Sequence, residues 1–139
     1  MKNLNLYVNV DAMAAATSDA IIMIDHNGRI TFWNPAAERI FQYSREEALG
    51  RDIHSLVASE QDLLTYRQSW PEFLRSGTGP IIGRARELRA FRKNGRELPV
   101  EITISSFHQG AQWNAVGVVR DISERKEMEQ QLWQSRKMD

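Results

Sequence analysis

Residues 97–105, which read ELPVEITIS, carry the pattern that decides the fold. Leu, Val, Ile and Ile stand at positions 98, 100, 102 and 104, and mostly polar residues stand between them. Successive side chains of a strand point to opposite faces, so this spacing predicts a strand with one face in a core and the other in water. Asn94-Gly95 comes just before the strand, and this pair favours a tight hairpin turn because both positions tolerate positive φ.

Further strands are predicted on both sides of this one. Ile81 to Lys93 forms a long strand that enters the turn, and Ala115 to Ile122 forms the last strand after a turn at Gln109 to Asn114. Near the start, Ala20 to Ile24 and Arg29 to Trp33 flank a second Asn-Gly pair, which predicts a second hairpin.

Short helices are predicted between the two hairpins. Asn34 is a good N-cap, and Pro35 suits the first helical position. Ser44 and Glu47 form a capping box, and Gly50 ends that helix in a left-handed conformation. Residues 51–59 are expected to be irregular or to form one turn.

Three longer helical segments complete the pattern. Asp11 is expected to cap a short alanine-rich helix that ends at Thr17. Residues 60–76 predict a helix that is bent or restarted near Pro71. Ser123 is expected to cap a final helix that runs to about Lys137. Two strands, several helices and three strands in this order indicate an α+β fold with one antiparallel sheet and helices on one face.

The composition excludes several classes of protein. The chain has 139 residues, which suits one domain, and its 18 basic and 18 acidic residues give no net charge. A nucleic-acid partner or a polybasic membrane contact is therefore not expected. The chain has no cysteine, which excludes disulfides and thiolate metal sites. No apolar run is long enough to span a membrane and the first ten residues do not form a secretory signal, so a cytoplasmic location is expected.

The ordered set of motifs resembles the PAS/PAC (S-box) family of sensor domains over roughly residues 11–126. The matching stretches are Asp19–Asp25 with Gly28–Ile30 and Trp33-Asn34, then Ala36–Ser44 with Glu47 and Leu49-Gly50, then Arg92–Gly95 with Pro99–Glu101 and Val118–Lys126. The resemblance implies a five-stranded antiparallel sheet of order 2-1-5-4-3 and a C-terminal output helix. It also implies an N-terminal flanking segment at residues 1–10, a PAS domain at 11–123 and a linker helix at 124–139.

The resemblance further implies sensing or dimerisation, with output through the flanking helices. Residues 132–138 resemble the segment ahead of the phosphoacceptor helix of histidine kinases, so a kinase domain in cis and a homodimer are expected. Met128 and Leu132 fit heptad positions, but two apolar residues alone would dimerise weakly. The chain carries no Walker, G-x-S-x-G or H-E-x-x-H motif, so it is not expected to be an enzyme by itself.

Asp121, Ile122 and Ser123 resemble the family's junction between the last strand and the output helix. Asp121 is expected to accept hydrogen bonds or to pair with a nearby arginine. Together with Met128 and Leu132, these residues are the candidates for signal transmission. The alternative is that the junction residues only cap a helix and end a strand.

A bound cofactor is the main open question. Photochemistry through a cysteinyl flavin adduct is excluded because there is no cysteine. Noncovalent FAD is an alternative, since Trp33, Trp70 and Trp113 could stack on a flavin and Asn34 could bond its ring. The competing interpretation is that Trp33 and Asn34 are ordinary family residues at a hairpin end and a helix cap.

Residues 59–105 resemble the haem PAS kinases that sense oxygen. By this resemblance Tyr66 occupies the position of the proximal histidine, Arg86 that of an arginine near the haem propionates, and Ile81 and Ile104 line the distal pocket, with Ile102 beside them. Tyrosinate can bind ferric haem, but a phenol needs help to ionise at neutral pH. Tyr66 as a core or rim residue is the favoured alternative.

The three histidines, at positions 26, 54 and 108, do not supply a ligand in the helix expected to bind iron, although His54 could face inward. No His/Glu cluster predicts a metal site. Inward-facing Leu, Ile and Val usually form plain core, which favours a pocket that is empty or holds a small organic ligand. The alternatives are a haem- or FAD-based gas or redox sensor, and a ligand-free dimerisation module attached to another output such as a cyclase.

Overall fold

The computed structural model describes residues 2–80 and 82–137. One antiparallel sheet has the strand order β2-β1-β5-β4-β3, which confirms the order expected from the resemblance. Its strands are β1 (Ala20–Ile24), β2 (Ile30–Trp33), β3 (Arg86–Phe91), β4 (Glu97–Gln109) and β5 (Gln112–Asp121). The helices are α1 (Lys2–Ala16), α2 (Pro35–Phe41), α3 (Arg45–Ala48), α4 (Ile53–Val57), α5 (Glu60–Ser76) and α6 (Ser123–Lys137). Among these helices, none combines the length and the hydrophobicity that crossing a bilayer requires.

The hairpin of β4 and β5 is the longest paired unit of the sheet. The expected turn at residues 109–114 is shorter than predicted, because Trp113 and Asn114 remain paired with His108 and Phe107. Gly110 has a φ of 63°, a conformation that glycine adopts without steric cost and that allows the chain to reverse within two residues.

The long strand predicted for residues 81–93 is wrong in its first half and at its end. β3 begins only at Arg86, because Gly83 has a φ of 81° and interrupts the extended backbone. The N–H of Gly83 still bonds the carbonyl of Ile104, at 2.8 Å. At the other end, the N–H of Arg92 bonds the carbonyl of Arg96 and already belongs to the hairpin turn.

Two helix predictions also need correction. α1 runs from Lys2 to Ala16, so Asp11 lies inside the helix and is not its N-cap. The helix predicted over residues 60–76 is present as α5, but it does not restart at Pro71. Proline removes one backbone hydrogen bond from a helix, and the rings of Trp70 and Phe73 stack at 4.9 Å across this point, which holds the two halves together. Between residues 51 and 59 the chain forms the short helix α4 (Ile53–Val57), in agreement with the single turn expected there.

Asn34 is the buried polar residue that ties the N-terminal elements together. Its Oδ1 accepts hydrogen bonds from the backbone N–H of Ala37, at the start of α2, and of Ile21 in β1. Its Nδ2 donates to the carbonyls of Ala14 and Asp19, at 2.8 and 3.0 Å. The predicted N-cap is therefore confirmed, and the same side chain also joins α1 and β1 to α2.

The predicted capping box is also present. The Ser44 hydroxyl accepts from the N–H of Glu47, and the Glu47 carboxylate accepts from the N–H of Ser44. This exchange satisfies two N–H groups at a helix start. Gly50, with a φ of 83°, follows the helix in the left-handed conformation that we expect at this position.

The core lies between the sheet and helices α2 to α5. Trp33 and Phe41 are its largest fully buried side chains, and their rings lie 5.7 Å apart. The indole N–H of Trp33 donates to the carbonyl of Tyr43, at 3.0 Å, so the one polar atom of this side chain is satisfied inside the core.

Replacing Asn34 with alanine tests whether its amide joins α1 and β1 to α2. We expect Asn34→Ala to lower the free energy of unfolding by about 3 kcal/mol, because two N–H groups and two carbonyls lose their partner in a buried place. Urea denaturation followed by circular dichroism measures the change. Asn94→Ala is the control, since Asn94 accepts one exposed hydrogen bond, from Arg96, and we expect its loss to cost less than about 1 kcal/mol. Equal effects of the two substitutions would contradict the central role of Asn34.

Candidate functional site

A cavity of about 150 Å³ lies between the inner face of the sheet and helices α2 and α4. The sheet contributes Ile22, Ile24, Val100, Ile102, Ile104 and Val119, and the helices contribute Phe41, Ile53, His54 and Val57. A neighbouring pocket of about 60 Å³ is lined by Tyr66, Trp70 and Phe73 of α5 and shares four residues with the cavity, namely Ile24, His54, Ile104 and Ala115. The site is therefore apolar and interrupted by few polar side chains.

Gly117 lies on the wall of the cavity, on the central strand β5. A Cβ atom at this position would meet nothing nearer than the Ile104 Cγ1 and the Ile22 carbonyl oxygen, both at 3.9 Å. The missing side chain thus leaves space that the neighbouring side chains do not fill. Our sequence analysis missed this residue, although an isolated glycine inside a strand pattern is a signal of such a place.

His54 is the polar residue on the wall that the cavity and the pocket share. It belongs to α4, whose N-cap is Asp52. Its imidazole stacks on the ring of Tyr66 with 3.3 Å between centroids. Its Nδ1 is buried and has no hydrogen-bond partner among the described residues, and the Asp52 carboxylate is 4.0 Å away.

The His54 imidazole is neutral at pH 7. Burial lowers its pKa to about 4, and the charge of Asp52 opposes this shift without reversing it. A neutral imidazole offers one hydrogen-bond donor and one acceptor. His54 can therefore form hydrogen bonds inside the site without carrying a charge.

Tyr66 lines the smaller pocket, between His54 and Trp70, whose ring lies 4.8 Å away. Burial raises the pKa of Tyr66 to about 12, and the charges of Asp52 and Asp25 act in the same direction. The phenol is thus protonated at neutral pH, which makes it a poor ligand for ferric iron.

Of the residues considered for FAD, Trp70 lines the smaller pocket, whereas Trp33, Asn34 and Trp113 are not among the residues of the cavity wall. Trp33 is packed against Phe41, and the amide of Asn34 makes four hydrogen bonds within the protein. Trp113 covers Gly77 and packs on the imidazole of His108, with 3.6 Å between centroids. These side chains are engaged elsewhere in the fold.

The structure places the remaining pocket candidates as follows. Ile102 and Ile104 lie on the cavity wall. Arg86 is exposed, and its guanidinium donates to the carbonyl of Pro80, at 2.7 Å, so it holds the preceding loop against β3. Ile81 lies outside the described residues.

Three features of the site bear on whether a haem or a flavin could bind. A cavity of about 150 Å³ is smaller than the roughly 300–1,000 Å³ of pockets for drug-sized ligands. The α5 position expected to bind iron holds Tyr66 in its protonated form. In the described part of the chain, no three His, Asp or Glu side chains are grouped so that they could hold a metal ion.

The junction between β5 and α6 is a second part of the site. Ile122 is buried, its N–H donates to the carbonyl of Pro99, and its carbonyl accepts from the N–H of Lys126, the first bond of α6. Asp121 accepts from both the N–H and the hydroxyl of Ser123 and pairs with Arg92 at 3.3 Å. The prediction that Ser123 caps the helix is wrong, because Ser123 is the first residue of α6 and its hydroxyl is a donor to Asp121.

Ion pairs hold α6 against the sheet. None of the residues Ser123–Lys137 is buried. The Glu87 carboxylate of β3 pairs with Arg125 at 2.9 Å and with Lys126 at 2.7 Å, and Arg125 also lies 3.5 Å from Glu101 of β4. The hydrogen bond between Glu87 and Lys126 lowers the pKa of the carboxyl and raises that of the amine.

Met128 and Leu132, the candidates for transmission along α6, are about 60% exposed, as is Trp133. The structure therefore does not bring them into contact with the cavity. Their exposure leaves one side of the helix available for another surface.

Filling the space at Gly117 gives a test of the cavity. We expect Gly117→Ala to leave the free energy of unfolding unchanged or to raise it by about 0.5–1 kcal/mol, because the methyl group meets only ordinary contacts and the unfolded chain loses freedom. Gly110→Ala is the control and should be destabilising by about 1 kcal/mol, since residue 110 has a positive φ. Urea denaturation measures both, and a clear loss of stability in Gly117→Ala would contradict the unfilled space.

The buried His54 predicts a pH dependence of stability. Its pKa in the folded state is about 4, below the ordinary value of 6.5, so the unfolded chain binds more protons between these two values. Stability should fall by about 3 kcal/mol as the pH decreases from 6.5 to 4. Glu47, whose pKa the Lys93 pair lowers to about 2, acts in the separate window below 4.5.

Denaturation in urea at a series of pH values measures this slope. His54→Phe should flatten the profile between pH 6.5 and 4.5. The same slope in wild type and His54→Phe would show that another group is responsible.

Comparison with known proteins agrees with this architecture. The chain is 30% identical over 114 residues to the sensor protein FixL of Bradyrhizobium diazoefficiens, covering 82% of this chain and 22% of that protein. It is 30% identical over 124 residues to the cell-division control histidine kinase PdhS of Brucella ovis, covering 86% of this chain and 11% of the kinase. The chain thus spans less than a quarter of the length of these relatives.

A solved PAS domain of a Colwellia psychrerythraea protein superposes with a TM-score of 0.68 at 23% identity, over 85% of this chain and 98% of that domain, which shows the shared fold. The family model described as PAS domain matches residues 18–124. With a match over this range and the strand order β2-β1-β5-β4-β3, the chain belongs to the PAS domain family.

Proposed function

We propose that this PAS domain is the input module of a histidine kinase and passes a conformational signal to the kinase through α6. Its homology to a histidine kinase, and the likeness of residues 132–138 to the segment ahead of a phosphoacceptor helix, support a kinase domain in cis. The domain itself supplies no catalytic step in this proposal. It acts in the cytoplasm and binds neither nucleic acid nor membrane.

The observation that carries the proposal is the continuity of β5 from the cavity to α6. Ala115, Gly117 and Val119 of β5 line the cavity. The strand ends at Asp121, and α6 starts at Ser123, with the buried Ile122 between them. A shift of β5 caused by a change in the cavity would therefore reach α6 through a single anchored residue.

The ion pairs of Glu87 provide a second route. Leu88 lines the cavity, and its neighbour Glu87 pairs with Arg125 and Lys126 of α6. Ion pairs between half-exposed side chains are weak one by one, and salt weakens them further. The docked position of α6 is thus held by interactions that a small movement of β3 is able to release.

The proposal includes a homodimer. Met13 of α1, Val118 on the outer face of the sheet and Leu132 of α6 are exposed apolar side chains, at 73%, 40% and 60%. Apolar side chains in these places favour pairing with a second copy, and α6 would continue as a paired helix toward the kinase. Because only Met128 and Leu132 fit the heptad, this pairing needs the helix that follows in a longer protein.

The cavity is proposed to bind a small organic molecule or none, and neither haem nor FAD. An absorption spectrum of the purified protein tests this part directly. We expect no Soret band and no flavin bands, and either feature would contradict it. Autophosphorylation of the full-length protein, measured with labelled ATP, tests the kinase assignment, and an output domain without phosphotransfer would favour the dimerisation-module alternative.

Neutralising Glu87 tests the route through α6. We expect Glu87→Gln to raise hydrogen-exchange rates over residues 124–137, because Arg125 and Lys126 lose a charged partner on the sheet. Glu97→Gln is a matched control, since Glu97 is similarly exposed and pairs with Arg89 within the β3–β4 hairpin. Hydrogen exchange of residues 124–137, measured by mass spectrometry, should become faster in Glu87→Gln and stay unchanged in Glu97→Gln.

Salt gives an independent check on the same contact. Raising the salt concentration should speed exchange in α6 of the wild type and should have little further effect in Glu87→Gln. Unchanged exchange in α6 of Glu87→Gln would mean that these ion pairs do not hold the helix.

A further inference from the structure

The size of the cavity limits what it is able to hold. Its volume is about 150 Å³, and an engineered apolar cavity of about this volume in another protein binds benzene. Gly117 provides the space on the sheet side, and Phe41 bounds it on the helix side. We expect a molecule of about one six-membered ring to fit this volume and a molecule with two fused rings to exceed it.

The charge at the rim favours an uncharged ligand. Asp62 and Arg89 are the charged side chains among the wall residues, and they have opposite signs. Arg89 already pairs with Glu97 at 3.2 Å and is largely exposed. An ionised ligand would lose its hydration among Ile and Val side chains without gaining a buried partner, which is costly.

The polar atoms of His54 supply the one specific interaction that the walls offer. Its ring lies where the cavity and the smaller pocket meet, and Tyr66 stacks against it. The buried Nδ1 has no partner in the described part of the chain. A buried polar atom without a partner is unfavourable, so a ligand group that bonds the imidazole would stabilise the site.

We propose that the cavity binds a neutral molecule of single-ring size that carries one hydrogen-bonding group, such as a hydroxyl, directed at the imidazole of His54. This inference rests on the proposed function, because it specifies the ligand class of the same sensory cavity. It predicts selection by size, by charge and by the presence of one polar group.

Four simple probes test these three selections: phenol, toluene, benzoate and naphthol. We expect chemical-shift changes in the cavity residues with phenol and, at higher concentrations, with toluene, and none with benzoate or naphthol. His54→Phe keeps the aromatic ring and removes its nitrogens, so it should weaken phenol binding by about tenfold while toluene binding changes by less than about threefold. His108→Phe is the control and should leave the affinities for both probes within about twofold, since His108 packs on Trp113 and is not among the residues of either pocket.

Blocking variants locate the site. Gly117→Val should abolish binding of phenol and toluene, and the milder Gly117→Ala should weaken both by similar factors if the valine variant does not fold. The inference is overturned if neither phenol nor toluene binds at millimolar concentration, or if benzoate or naphthol binds as tightly as phenol. It is also overturned if His54→Phe weakens the binding of phenol and toluene equally, or if the Gly117 variants bind these probes as the wild type does.

Failure of this inference differs from failure of the proposed function. Binding of phenol that depends on His54, without any change in hydrogen exchange of α6, would support the ligand class and contradict the transmission route. Absence of binding, together with release of α6 in Glu87→Gln, would contradict the ligand class and leave the route through the ion pairs supported.

Discussion

The register of β5 is the constraint on which the rest of the structure depends. β5 pairs with β1 on one side and with β4 on the other, so that Gly117 lies between Ile22 and Ile104. A slip of one residue would turn Val116 and Val118 toward the helices and Gly117 toward water. The same register sets the width of the cavity and the point at which Ile122 enters the core, so one pairing determines both the site and its connection to α6.

Most of the architecture could be predicted from residues whose effect is local. The alternation from Leu98 to Ile104 and the caps at Asn34 and Ser44 each depend on a few neighbouring positions, and the structure confirms them. The chain also reverses at both Asn-Gly pairs, but Gly28 and Gly95 adopt the positive φ and the preceding asparagines do not. The errors arose where tertiary contacts override local pattern. Residues 82–85 were predicted to belong to a strand, but Gly83 interrupts the extended backbone, and α1 continues through Asp11 although that residue is a favourable N-cap.

The site was harder to predict because it depends on a missing side chain and on a contact between residues that are distant in the sequence. Gly117 matters through a side chain that it lacks, and His54 matters because α4 brings its ring against Tyr66, twelve positions along the chain. Trp33 and Asn34 seemed suited to a ligand by residue type, yet the fold uses their polar atoms internally. Only the packing distinguishes a polar group that is already satisfied from one that is still free to bind a ligand.

The way α6 is attached has a consequence for how such domains are reused. None of the side chains in Ser123–Lys137 is buried, so the helix adds little apolar burial to the stability of the domain. Its sequence beyond the residues that pair with Glu87 is therefore free to diverge without unfolding the sensor. A recombination point within this helix would let one sensory domain be joined to different effectors, provided that the helical phase is preserved.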